Sequence, residues 1–165
     1  MNSPVTQRTK IRSKGLPLFW PAIVFDVRQL KDRHLVVAVL LGPAVWLMLL
    51  FLTSASSDTA TLILVINVVL LFPLLEELAF RGFLQGCLLE REIFRRHIVG
   101  FTVANVLTSL LFASAHLINQ PPLWAAGVFL PSLVFGYFRD RHQSIVTPFL
   151  LHAWYNAGFL MVMYR

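Results

Sequence analysis

The 165-residue chain is 57% hydrophobic and 13% charged, with a net charge of +6 and a mean hydropathy of +0.70. Soluble domains are about 45–50% apolar, so an ordinary soluble core of this size is excluded, and the length suits one domain. The basic residues sit between apolar runs and at the N-terminus, which argues against nucleic acid as a partner and for orientation in a membrane.

Residues 1–34 read as a basic cytoplasmic tail followed by an interfacial segment. Arg8, Lys10, Arg12 and Lys14 crowd the tail, and Pro17, Phe19, Trp20 and Pro21 suit a membrane interface better than a span. The first strong apolar run starts only near Leu35, so no cleavable signal peptide is expected. His34 to Thr53 is the first expected span. Pro43 within it is tolerable where a neighbouring helix satisfies the carbonyl it frees.

A second, unusually long apolar segment runs from Ala60 to about Glu90, with a kink expected near Pro73 or an extension into the cytoplasm. A charged hinge from Glu90 to His97 follows, then a third span from Ile98 to Ile118. The fourth runs from Leu123 to Phe138, a basic loop covers Arg139 to Gln143, and the fifth span covers Ser144 to Met163. Seven Lys or Arg precede Leu35, none lie at 54–59, three at 90–97, none at 119–122 and two at 139–143. That alternation predicts an all-α bundle of about five membrane helices over residues 35–165, N-terminus inside. The single cysteine, Cys87, reads as a packed thiol.

Charge inside the second segment is the main functional signal, because ionisable groups at bilayer depth are costly and mark sites. Glu77 and Arg81 stand at i and i+4 with the acid first, the favourable order for a helical ion pair. Glu76 points about 100° away and has no local partner, which makes it the candidate for chemistry. His34, His97 and His142 lie beside basic span ends, where interfacial solvation accounts for them. His116 ends LTSLLFASAH, and His152 lies inside PFLLHAWYNAGF with Asn156 one turn later on the same face. If the second and third spans form a hairpin turning near Arg96, Glu76 stands opposite His116.

A carboxylate beside an imidazole in a poorly solvated pocket can act as general base on water, while His and Asn donors stabilise an oxyanion. No Gly-x-Ser-x-Gly elbow offers a nucleophile. The same Glu, His and Asn residues are also acceptable zinc ligands, although no His-Glu-x-x-His helix is present. Metal-free hydrolysis, a zinc-dependent version, a non-catalytic immunity or partner-binding protein and a proton carrier are the readings these residues leave open.

Three motifs in order carry a resemblance: Glu76-Glu77-Leu-Ala-Phe-Arg81, Phe112-Ala-Ser-Ala-His116 and His152-Ala-Trp-Tyr-Asn156. Here the chain resembles the CAAX prenyl endopeptidase and bacteriocin-processing (CPBP, or Abi) family of intramembrane proteases. The resemblance implies a glutamate-type endopeptidase in which Glu76 and His116 activate water and His152 and Asn156 form the oxyanion site. Glu77 and Arg81 would brace the fold, with Phe112 in support. No cofactor is expected, with zinc as the alternative. The expected partners are the lipid bilayer and a membrane peptide or protein substrate, including C-terminal processing or sorting tails. The expected location is a bacterial inner membrane.

Overall fold

The computed structural model describes residues 23, 25–56 and 58–165, and most of these are helical. The basic tail and the Pro17–Pro21 part of the interfacial segment lie outside the described residues. Helix α1 spans Arg33–Leu52, capped by Asp32, whose carboxylate accepts the His34 N–H at 3.0 Å. Helix α2 covers Leu62–Leu88. Both are long and apolar enough to cross a membrane. Their large apolar side chains, Leu40, Phe51, Leu62 and Ile63 among them, face outward, as lipid contact requires.

Helix α2 is not uniformly wound. Wider π turns occupy Asn67–Leu71 and Glu77–Leu84, with α turns between them at Phe72–Glu76. The expected disturbance at Pro73 therefore takes the form of altered winding, and such turns recur at functional sites.

Two expectations need correction. The run from Ile98 to Ile118 is not one helix. His97–Ile98 and Phe101–Thr102 pair as a short antiparallel hairpin, β1 and β2, turning through Val99 and Gly100 at positive φ. Helix α3 begins only at Val103 and ends at His116. The Thr102 hydroxyl caps it by accepting the Asn105 N–H at 3.0 Å. At 1.5 Å per residue α3 reaches about 21 Å, short of a bilayer core of about 30 Å. The supposed basic loop from Arg139 is instead the last turn of helix α4, Pro122–His142, which stops where Gln143 turns left-handed. Helix α5 spans Val146–Met163.

Packing explains how close these helices come. Gly136 of α4 lies where a Cβ would stand 1.9 Å from the Asn105 side chain, and a Cβ on Gly158 of α5 would meet Trp46 at the same distance. The α1, α4 and α5 faces share a core of Leu35, Ala38, Phe135, Phe138 and Leu151. Pro43 behaves as expected. It has no N–H for the Val39 carbonyl four residues earlier, and the Trp154 indole on α5 donates to that carbonyl at 3.1 Å.

At the end of α4, His142 is buried rather than solvated, a further correction. Its Nδ1 lies 2.9 Å from the Thr147 hydroxyl and its Nε2 3.0 Å from Asp32, while Arg141 Nη2 donates to Asp32 at 3.2 Å. Burial acts to raise the Asp32 pKa, but the bonds from Arg141, His142 and the His34 N–H outweigh it and hold the carboxyl below its ordinary range.

Candidate active site

Adjacent in sequence, Glu76 and Glu77 differ in surroundings. Glu77 is fully buried, whereas the Glu76 side chain keeps 33% of its exposure. Glu77 Oε1 pairs with Arg81 Nη1 at 3.2 Å, both side chains being out of solvent. The pairing read from the i, i+4 spacing is present. Breaking such a buried pair from one side costs about 3–5 kcal/mol, because the remaining charge is left uncompensated.

Glu77 does more than brace, since its Oε1 also lies 2.8 Å from His152 Nδ1. A carboxylate oxygen already facing a guanidinium is an acceptor, so Nδ1 carries the proton. The opposite ring nitrogen, Nε2, lies 3.5 Å from Glu76 Oε2. Phe135 holds the imidazole in place by stacking on it at 4.8 Å between centroids and 19° between planes.

Arg81 is built into the wall opposite. Its Nη2 donates to the Ser132 hydroxyl at 2.7 Å and to the Ser132 carbonyl at 3.2 Å. Its guanidinium carbon sits 4.4 Å above the Phe112 ring and 5.5 Å from Phe135, within cation–π range. Arg139 Nε donates to the Arg81 carbonyl at 3.1 Å. One turn further along α2, Gln85 donates to the Gly136 carbonyl at 3.1 Å and to Asp140 at 2.9 Å. Thr102 closes the column by donating to Asp140 at 2.7 Å.

His116 and Asn156 are placed differently from each other. His116 Nδ1 donates to the Phe112 carbonyl at 2.9 Å, which leaves Nε2 as its acceptor nitrogen when neutral. Among the described residues, His152 is the imidazole within 4 Å of the Glu76 carboxylate. The Phe112 ring joins the parts, 4.7 Å from His116 and 5.9 Å from His152. Asn156 turns toward α2, where its Nδ2 donates to the Val68 carbonyl at 2.9 Å.

Ser132, Phe135, Gln85 and Arg139 escaped the reading of the sequence. Gln85 had a signal, since Glu77, Arg81 and Gln85 repeat every four residues on one helical stripe. Ser132 had none, being one small polar residue in an apolar run. No three His, Cys, Asp or Glu side chains among the described residues converge to hold a metal ion. Glu77 is engaged by Arg81 and His152, while both histidines commit Nδ1 and leave Nε2 as the nitrogen open to a ligand or substrate.

Residues 58–158 match the family model described as "Type II CAAX prenyl endopeptidase Rce1-like". The chain belongs to this Rce1-like family. The matched segment contains α2 to α4 and most of α5, hence every residue of the site just described. The Rce1-like family is one of proteases, and membership together with the apolar helices makes this a membrane protein. The chain is also similar to an uncharacterised 24.3 kDa protein of Escherichia coli, 32% identical over 106 residues, covering 62% of this chain and 46% of that protein. It thus spans about half the length of that curated relative. No solved structure matches it.

Proposed function

We propose that this protein is an intramembrane endopeptidase of glutamate type, which hydrolyses a peptide bond in a membrane-embedded or membrane-tethered substrate. The observation that carries this reading is the orientation of His152. Glu77 accepts its Nδ1–H, Phe135 fixes its plane, and Nε2 meets the one partly exposed carboxylate of the cluster.

In the ion-paired form, Glu76 is a carboxylate and His152 Nε2 carries a proton, so a base and an oxyanion donor stand side by side. Water held between Glu76 and the His116 Nε2 lone pair loses a proton to Glu76 while its oxygen attacks the scissile carbonyl. The carbonyl oxygen becomes negative and accepts a hydrogen bond from His152 Nε2–H. The proton on Glu76 then passes to the departing amine as the carbon–nitrogen bond breaks. Arg81 pairs with Glu77 and so keeps His152 aligned. No step of this reading uses a metal.

The wider reading is a bundle in a bacterial inner membrane with the basic ends of α1 and α4 in the cytoplasm. Its substrates are membrane peptides, including C-terminal processing or sorting tails. The test is incubation of the protein in liposomes with a library of membrane-tethered peptides, with and without chelator, followed by mass spectrometry. Cleavage at a defined bond that survives chelation is the expected result. Loss of cleavage on chelation would replace this mechanism with the zinc-dependent one, and no cleavage of any peptide would favour a partner-binding role.

A further inference from the structure

Two prolines interrupt the apolar helices that pack on α5, and α5 answers both. Pro43 frees the Val39 carbonyl, which receives the Trp154 indole N–H. In α2 the Phe72 N–H reaches back five residues to the Asn67 carbonyl. The next donor in that register belongs to Pro73, which has no N–H, so the register supplies the Val68 carbonyl with no backbone partner. The side chain of Asn156 fills that place at 2.9 Å. Its orientation is unambiguous, because a carbonyl accepts only from the amide nitrogen.

We infer that Asn156 is a positioning residue, which stitches the proline break of α2 and thereby sets the direction in which Glu76, three residues beyond Pro73, leaves the helix. It works as a pair with His152, one turn earlier on α5, which grips Glu77 and faces Glu76. α5 thus holds the broken helix at two points on either side of Pro73. The inference depends on the proposed hydrolase only for its activity readout.

The inference makes Pro73→Ala a suppressor of Asn156→Ala, since an alanine restores an N–H to the Val68 carbonyl. Asn156→Ala should reduce cleavage about tenfold and lower Tm in detergent by about 3 °C, as expected when a half-buried carbonyl loses its donor. Adding Pro73→Ala should return both to within about twofold and 1 °C of the Pro73→Ala single variant. Independently of whether Pro73→Ala folds, the Val68 carbonyl carbon resonance should shift in Asn156→Ala. An unshifted Val68 resonance would overturn the inference, as would a restored Tm with cleavage still lost. If the wild-type protein cleaves nothing, the hydrolase reading fails alone, because the Tm cycle and the resonance still decide what Asn156 does.

Discussion

Two buried histidines in this protein each face a carboxylate, and the comparison separates a seam from a site. His142 has both ring nitrogens taken, one by Thr147 and one by Asp32, and the bonds join the start of α1 to the α4–α5 turn. Nothing is left over for a substrate. His152 also has Nδ1 committed, to Glu77, but its Nε2 meets a carboxylate that remains one-third exposed. A carboxylate–imidazole contact becomes a candidate for catalysis when its outer end is open, and a brace when both ends are closed.

The sharpest way to break the comparison is to substitute each histidine. His152→Gln should reduce cleavage by about 10³-fold, at the upper end of the range for losing an oxyanion donor. His142→Gln should leave the cleavage rate within about twofold while lowering Tm, and both are read from one liposome assay and one thermal melt. Equal losses of activity in the two variants would erase the distinction. Next in size is Glu77→Gln, which strands Arg81 as a buried charge and should cost about 3 kcal/mol of stability, measured by denaturant unfolding in mixed micelles.

Overpacking comes third. Gly136→Ala and Gly158→Ala each force a methyl into a neighbouring side chain and should cost about 1–3 kcal/mol. Gly127→Ala, with open space around its Cβ, should instead add about 0.5–1 kcal/mol through helix propensity.

A smaller effect belongs to the seam. The folded-state pKa of Asp32 lies below its ordinary value of 3.8, so its stabilisation is complete above that value and is lost as pH falls through the folded one. Tm should therefore decline on acidification below about pH 4, and Asp32→Asn should flatten that limb. An unchanged acid limb in Asp32→Asn would remove the seam from the account.

Much of this was legible in the chain, for reasons that also explain what was not. Glu77 and Arg81 find each other within one helix, so spacing alone specifies the pair. The first two long helices announce themselves because nothing but a lipid-facing helix needs so many apolar residues in a row. The hairpin before α3 was hidden because hydropathy counts Ile98, Val99 and Phe101 as span residues. The contrary signals, Gly100 and the Thr102 cap, are local. The π turns of α2 were likewise hidden, since hydropathy does not register helical winding. His152 as partner to both glutamates, and Phe135 and Ser132 behind it, come from helices far along the chain. No periodicity in a single sequence encodes how those helices are rotated.

The central claim is that Glu76, and not its buried neighbour, takes the proton from water. The most direct measurement compares wild type and Glu76→Gln in liposomes, scoring cleavage of one identified peptide by mass spectrometry and folding by Tm. The account predicts loss of cleavage by at least about 10³-fold at unchanged Tm. Turnover by Glu76→Gln at the wild-type rate would contradict it.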